Sequence, residues 1–176
     1  EGATLYELAG RPAFEQAKAA ISMLDEESQV NAVRGLHLGL VADEYVEQHE
    51  QGDFLVRAIT GADHASGAIT TGDDIAVGTT VQFLLRDGHA AHEDLAAVLG
   101  AFRRTVGLQG IAGALVFSAD TRGRSMFRST DHDVATVRGE LGTDNVAGCF
   151  TSGEIGPLAG RNHLHGFSAT VLAFGA

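Results

Sequence analysis

The fold of this chain is decided by residues 111–117, which read Ile-Ala-Gly-Ala-Leu-Val-Phe. The run is far too short to span a membrane, and it is apolar at every position, so it has no alternating polar face. A strand that is apolar on both faces has to be covered on both sides. We therefore expect a central β-strand here.

A long amphipathic segment precedes this strand. Apolar residues recur three and four positions apart between His89 and Val106, at Leu95, Val98, Leu99, Phe102 and Val106. This spacing forms one stripe on an α-helix. The segment is therefore predicted to be a helix that packs on the strand.

Two further helices are predicted. After the strand, Asp131 can cap a shorter helix, whose expected buried residues are Val134, Val137 and Leu141. Near the amino terminus, Pro12 at a first-turn position precedes a stripe made of Phe14, Ala17, Ile21 and Leu24. We expect that helix to end in the acidic residues 25–27.

The remaining segments show the period of two that is typical of strands. Residues 36–41, 54–59 and 81–86 alternate, and residues 163–174 predict one long final strand that places His163, His165, Phe167, Ala169 and Val171 on one face. Short turns between strands favour antiparallel pairing. The predicted class is α+β, a single mixed, largely antiparallel sheet with about three helices packed on it, in one domain over residues 1–176.

Composition excludes several classes of function. The chain has 12 basic and 23 acidic residues, a net charge of -11, which argues against binding to nucleic acid. It contains no stretch long and apolar enough for a membrane span and no signal peptide pattern, and one cysteine cannot form an internal disulfide. We therefore expect a cytoplasmic protein without membrane partners. Because the sequence begins at Glu1, we also expect it to be a fragment of a longer protein.

The sequence gives little support for a catalytic site or a metal site. The segment around Cys149 and Ser152 lacks the spacing of a nucleophile elbow, and Cys149 in a strand is expected to be a packed, inert thiol. His163 and His165 on one strand, with Glu154 or His37 as a third ligand, suggest a metal site only weakly. We expect no catalytic residue, no bound metal and no cofactor.

The first candidate binding element is Arg122-Gly123-Arg124, directly after the predicted central strand. Loops at strand ends collect binding residues, and a guanidinium can hold a carboxylate with two hydrogen bonds. Alternatively, these arginines pair with Asp120, Asp131 or Asp133 at the surface.

The second candidate element is the glycine-rich segment 148–166, which contains Gly153, Glu154, Asn162 and His165. Glycines let a backbone pass close to a ligand, and the polar side chains offer both donors and acceptors. An arginine and a carboxylate together suit a zwitterion. Alternatively, the segment is a turn-rich hairpin whose polar groups satisfy only local backbone.

These same segments resemble the C-terminal subdomain of the FIST domain family. The resemblance is carried by residues 148–157, which read GCFTSGEIGP, by residues 162–170, which read NHLHGFSAT, and by Phe117-Ser118 with Arg122-Gly123. Residues 6–13, 36–40, 52–57 and 77–83 agree with it, so the similarity spans nearly the whole chain. Ala119 stands where the family often has cysteine.

The resemblance implies a sensory module for small ligands such as amino acids or their derivatives, with an N-terminal FIST subdomain or a signalling protein as partner. We expect the ligand to contact Arg122, Gly123, Gly153, Glu154, Asn162 and His165. Arg122 is predicted to hold a carboxylate and Glu154 an ammonium group. The alternatives are a protein–protein interaction module and a metal-assisted hydrolase.

Overall fold

The structure is a computed structural model that describes residues 2–107 and 110–176. The chain divides into two compact units, Glu1–Arg86 and Asp87–Ala176. Each unit has its own helices and strands, and each is described by itself below.

The first unit is built on a five-stranded sheet. Its elements are β1 (Thr4–Leu5), β2 (Glu7–Leu8), β3 (Arg11–Pro12), α1 (Ala13–Ser22), α2 (Glu26–Gly35), β4 (Leu36–Val41), β5 (Phe54–Asp63), β6 (Ala68–Thr71) and β7 (Val81–Leu85). The strand order is β1-β6-β5-β4-β7, and every neighbouring pair is antiparallel. Leu38 on β4 and Ile69 on β6 are almost completely buried. The predicted strands at residues 36–41, 54–59 and 81–86 are thus confirmed.

The acidic residues 25–27 follow α1 and form the beginning of a second helix, α2. α1 stops at Ser22, and the Asp25 side chain then accepts a hydrogen bond of 2.8 Å from the backbone nitrogen of Ser28. Asp25 is therefore the N-cap of α2. Sequence analysis missed α2 because its residues are mostly polar and show no strong apolar stripe.

The second unit contains the predicted central strand. Its elements are α3 (Gly88–Val106), β8 (Ile111–Ala119), a 3₁₀ turn (Asp120–Arg122), α4 (Arg124–Phe127), α5 (His132–Leu141), β9 (Val146–Thr151), β10 (Glu154–Leu158), β11 (Arg161–His165) and β12 (Ala169–Gly175). β8 lies between β12, which is antiparallel to it, and β9, which is parallel to it. α5 connects the two parallel strands.

The core of the second unit lies between one face of this sheet and two helices. The buried cluster is formed by Leu95 and Leu99 of α3, Val137 and Leu141 of α5, and Ala114 and Val116 of β8. Leu95 and Leu99 of the stripe predicted on residues 89–106, and two of the three apolar residues predicted after Asp131, therefore point into the core. Val98 and Phe102 of the same stripe are 60% and 40% exposed. Val134 is only half-buried.

The α+β class is confirmed, but the single sheet is wrong. The strands are distributed over a five-stranded sheet, a three-stranded sheet and the two hairpins β2–β3 and β10–β11. The period of two identifies a strand but does not say which strand it pairs with, and so the sequence pattern could not divide the strands among sheets.

The predicted final strand is also wrong, because it is two strands. β11 ends at His165 and pairs with β10, whereas β12 begins at Ala169 and pairs with β8. Between them, the backbone carbonyl of Ser168 accepts a hydrogen bond from the nitrogen of Ala119. His163 and His165 therefore do not share a strand face with Val171.

The cap of α3 gives a first testable prediction. The Asp87 carboxylate accepts a hydrogen bond of 2.7 Å from the backbone nitrogen of Ala90. Asp87→Ala should lower the free energy of unfolding by about 1 kcal/mol, because a first-turn N–H loses its acceptor. Urea unfolding followed by circular dichroism measures the change. Asp94→Ala, an exposed change in the same helix, should stay within about 0.5 kcal/mol; equal losses in both variants would contradict the role of Asp87 as a cap.

Candidate functional site

The candidate site lies at one edge of the three-stranded sheet of the second unit. β8 and β9 are parallel, so Ala119 and Thr151, which are register partners, both lie where their strands end. In open sheets the carboxyl ends of parallel strands are the common place for ligands. The 3₁₀ turn and the hairpin β10–β11 both begin at this edge.

Arg122 is buried at this edge and is already paired. Its Nε and Nη2 atoms donate hydrogen bonds of 2.9 and 3.0 Å to the two carboxylate oxygens of Asp133. The side chains are only 7% and 6% exposed. The guanidinium fork thus binds a carboxylate of the protein, whereas sequence analysis assigned it to the carboxylate of a ligand.

Asp133 has two further partners. The Ser118 hydroxyl donates to its Oδ2 at 2.7 Å, and Nδ1 of His132 lies 3.0 Å from its Oδ1. Burial alone raises the pKa of Asp133, but the hydrogen bonds and charge of Arg122, with the bonds from His132 and Ser118, outweigh it and hold the pKa below its ordinary value. The pair therefore ties α5 to the end of β8 as an ionised, buried contact.

Aromatic contacts support the same pair. The ring of His132 is stacked on Phe127, with centroids 3.6 Å apart and planes 4° apart. The guanidinium carbon of Arg122 lies 5.2 Å from the centroid of the Phe127 ring. Arg122 is thus held by its charge and by packing, which is the arrangement of a structural residue.

Glu154 is the second buried carboxylate of this edge, and it is 5% exposed. The Ser168 hydroxyl donates to its Oε2 at 2.7 Å, and the Thr151 hydroxyl donates to its Oε1. Thr151 precedes the hairpin β10–β11 and Ser168 follows it. Glu154 therefore joins the two chain segments at the base of the hairpin.

The turn after β8 and the bend before β12 meet at this edge. The Thr121 hydroxyl donates to the backbone oxygen of Gly166 at 3.1 Å, and the nitrogen of Ala119 donates to the oxygen of Ser168 at 3.0 Å. Two segments that are 45 residues apart in sequence are thereby held together. The structure thus brings the two candidate elements of the sequence analysis to one place.

The register of the hairpin separates the remaining candidates. His165 is the cross-strand partner of Glu154, so both side chains lie on one face of the hairpin. Its Nε2 atom lies 3.1 Å from the backbone oxygen of Gly156. Asn162 pairs with Pro157 and is an odd number of residues from His165, so it lies on the opposite face. Asn162 and His165 therefore lie on opposite faces of the hairpin.

The two candidate glycines occupy different positions at the edge. Gly123 directly follows the 3₁₀ turn that contains Arg122. Gly153 directly precedes Glu154, and a Cβ atom built on it would come within 3.0 Å of Leu164 and 3.3 Å of the backbone oxygen of His165. Glycine at position 153 therefore permits the close approach of the hairpin strands.

Cys149 and the pair His163 and His165 are the residues for which sequence analysis considered thiol or metal chemistry. Cys149 is exposed, so the expectation of a packed thiol is wrong; the apolar neighbours in sequence did not reveal that this face of β9 is open. The rings of His163 and His165 are 6.4 Å apart. Within residues 2–107 and 110–176, no group of three histidine, cysteine or acidic side chains is arranged to hold a metal ion.

Sequence analysis missed three hydroxyl residues of the site, Ser118, Thr151 and Ser168. Each hydroxyl bonds to a buried carboxylate. Ser118 directly follows the predicted strand 111–117, which is a usable sign because a polar residue at a strand end can satisfy a neighbouring buried charge. Ser168 lies inside the predicted strand 163–174 and carries no such sign. The partner of each hydroxyl depends on strand pairing, which the sequence does not show.

Comparison with known families gives one match. The family model described as the FIST C domain matches residues 13–157 of the chain. The matched range includes β8, the 3₁₀ turn, Arg122, Gly123, Gly153 and Glu154. Asn162 and His165 lie beyond its end.

Similar curated proteins come from mycobacteria. The chain is 43% identical over 175 residues to "Uncharacterized protein Rv0628c" of Mycobacterium tuberculosis, a match that covers 99% of this chain and 45% of that protein. It is 41% identical, with the same coverage, to "Uncharacterized protein Mb0898c" of Mycobacterium bovis. The chain thus spans less than half the length of these relatives. No solved structure matches it.

Among the helices that the structure describes, none combines the length and the apolar character that crossing a membrane requires.

Proposed function

Because this chain belongs to the FIST C domain family, which is a family of sensory and signal-transduction domains, we propose that it is a non-catalytic sensory domain that binds a small polar metabolite, such as an amino acid or a derivative of one. The ligand binds at the edge of the three-stranded sheet where β8 and β9 end. Glu154 is its polar anchor, with Gly153 and His165 beside it on the hairpin.

One observation carries this proposal, the burial of Glu154 between the segments that precede and follow the hairpin β10–β11. A buried carboxylate has to be compensated by donors or by a cation. Among the residues that the structure describes, the donors to the Glu154 carboxylate are the hydroxyls of Thr151 and Ser168, so it can accept a further polar group. The contact between Thr121 and Gly166 holds the turn after β8 beside the same point.

Arg122 and Asn162 have different roles from those that the sequence suggested. In this proposal Arg122 supports the edge through Asp133 and does not contact the ligand. Asn162 faces away from Glu154 because of the hairpin register. Gly123 belongs to the turn that places Arg122.

Ligand binding at Glu154 can change the conformation of the hairpin β10–β11 and so signal to a partner. Glu154 bonds to residues on both sides of the hairpin, so a ligand that engages this carboxylate changes how the hairpin is held at its base. Binding shifts a conformational equilibrium only when the ligand has unequal affinity for the two states. The partner that responds is an N-terminal FIST subdomain or a separate signalling protein.

A metabolite screen tests the proposal. Differential scanning fluorimetry against amino acids and their derivatives should identify a ligand that raises the unfolding temperature, because a ligand at 100 times its Kd stabilises by about 2.7 kcal/mol. Glu154→Gln should abolish the shift. The control is Glu93→Gln, which changes a well-exposed carboxylate on α3 and should keep the shift. The proposal fails if no compound shifts the wild type or if Glu154→Gln shifts equally.

A protein–protein interaction module is the second candidate function, and one observation favours it. Ile155 and Leu164 are cross-strand partners on the hairpin face opposite Glu154, and they are 74% and 59% exposed. Exposed apolar neighbours often mark an interaction surface. Partner binding that is insensitive to metabolites and is lost in an Ile155→Ser/Leu164→Ser double variant would favour this function over ligand sensing.

A further inference from the structure

The second unit contains two buried carboxylates that differ in whether a positively charged side chain is paired with them. Asp133 is paired with Arg122 through two hydrogen bonds. Glu154 is as deeply buried, yet within the part of the chain that the structure describes no lysine, arginine or histidine nitrogen lies within 4 Å of its carboxylate. Removing a charge from water without a counter-charge is unfavourable. The site therefore favours a ligand that supplies a positive charge.

Two arginines of the second unit, Arg122 and Arg161, are poorly placed to hold a negative group beside Glu154. The Nε and Nη2 atoms of Arg122 are already bonded to Asp133. Arg161 lies at the other end of the hairpin, opposite Leu158, four register pairs from the pair Glu154–His165. At about 3.3 Å per residue, this places Arg161 roughly 13 Å along the strand from Glu154. Neither arginine is therefore placed to pair with the carboxylate of a ligand held by Glu154.

We propose that the ligand is a primary alkylammonium cation without a carboxylate, the class of compound that results when an amino acid loses its carboxyl group. This inference rests on the proposed function and specifies its ligand class. The ammonium binds the Glu154 carboxylate directly. An amino acid with an intact carboxylate binds more weakly.

The hydrogen-bonding capacity of Glu154 agrees with an ammonium group. An ionised carboxylate offers about four acceptor positions, of which the hydroxyls of Thr151 and Ser168 use two. An ammonium group has three donors and no acceptor, so it can use the free positions without displacing either hydroxyl. A divalent cation fits less well, because calcium requires six to eight oxygen ligands.

Matched pairs of compounds test the ligand class. The probes are lysine against 1,5-diaminopentane and arginine against agmatine, because the members of each pair differ only by the carboxylate. Isothermal titration calorimetry with the wild-type protein should show at least about tenfold tighter binding of the amine in at least one pair, a difference of about 1.4 kcal/mol. Equal or tighter binding of the amino acid in the pairs that bind overturns this inference and leaves the proposed function standing. Binding of other polar metabolites but of neither amine has the same consequence. No binding by any metabolite overturns both.

Variants test the anchor. Glu154→Gln should weaken amine binding at least about 30-fold, because the ammonium then loses its counter-charge. In the absence of ligand, the same variant should unfold at the same or a higher temperature, because an uncompensated buried charge has been removed. A lower unfolding temperature together with unchanged amine affinity would show that Glu154 is only structural and would overturn the proposal.

A second variant is decisive if Glu154→Gln does not fold. Ser168→Ala removes one hydroxyl donor and leaves the carboxylate in place. The amine should bind this variant at least as tightly as it binds the wild type, because a further acceptor position becomes free. Loss of amine binding in Ser168→Ala with the fold retained would contradict an electrostatic anchor.

Discussion

Asp133→Ala is expected to lower the free energy of unfolding of the second unit by about 3–5 kcal/mol. The change removes one member of a buried ion pair and leaves the guanidinium of Arg122 without its counter-charge. It also removes the acceptor of the Ser118 hydroxyl, which is itself buried. Because both losses occur at the end of β8, the effect should be among the largest of any single substitution in this unit.

Urea unfolding of the two single variants and of a double variant separates charge from packing. Asp120→Ala removes an exposed carboxylate two residues before Arg122 and should change the free energy of unfolding by less than about 0.5 kcal/mol. In Arg122→Met/Asp133→Leu both charges are absent, and much of the lost stability should return. A loss below about 1 kcal/mol for Asp133→Ala would show that the pair is not a structural contact.

Acid should reproduce part of this loss. The pKa of Asp133 is held below its ordinary value, so the contribution of the ionised group is fully present above the pKa of the unfolded chain, near 3.8. That contribution disappears as the pH falls from there through the lower pKa of the folded protein. The difference in stability between the wild type and Asp133→Ala should therefore be constant at neutral pH and shrink below about pH 4.

Local patterns in the sequence predict the central strand and the long helix of the second unit well. Residues 111–117 are apolar at every position, and they form the strand between β9 and β12. The stripe on residues 89–106 predicted α3, and Leu95 and Leu99 of that stripe are buried in the core. These predictions succeed because period and burial depend on near neighbours in the chain.

Contacts between distant segments could not be predicted in the same way. Arg122 was predicted to hold a ligand because nothing in its neighbourhood shows that the backbone carries Asp133 back to within 3.0 Å of it. The sequence also allows an arginine–aspartate pair as a surface contact, and the structure buries that pair. Burial is a property of the assembled unit and not of the local sequence.

Strand register is the other property of the site that the sequence does not show. Asn162 and His165 lie three residues apart, which places them on opposite faces if they belong to one strand. A glycine-rich segment offers no fixed alternation, so this consequence depends on knowing that β11 is regular and pairs with β10. The glycines of the segment suggest a hairpin. They do not show which face of that hairpin lies at the edge of the sheet.

Gly148→Ala is expected to destabilise the second unit by about 3 kcal/mol or more, or to prevent folding. Gly148 is the register partner of Val116 in the parallel pair β8–β9. A Cβ atom at position 148 would overlap the backbone oxygen of Val116 and come within 2.8 Å of its carbonyl carbon. Backbone atoms in the middle of a sheet cannot move aside as a flexible side chain can, so β9 would have to separate from β8.

Gly139→Ala is the matched control for this substitution, and its effect should have the opposite sign. Gly139 is exposed in the last turn of α5, and a Cβ atom there meets nothing within 4 Å. Alanine should therefore stabilise the helix by about 0.5–1 kcal/mol. Urea unfolding of the two variants, which differ from the wild type by the same methyl group, measures both effects. If Gly148→Ala were tolerated as well as Gly139→Ala, β9 would not be as close to β8 as the structure shows, and Thr151 at its end would not be positioned to bond Glu154.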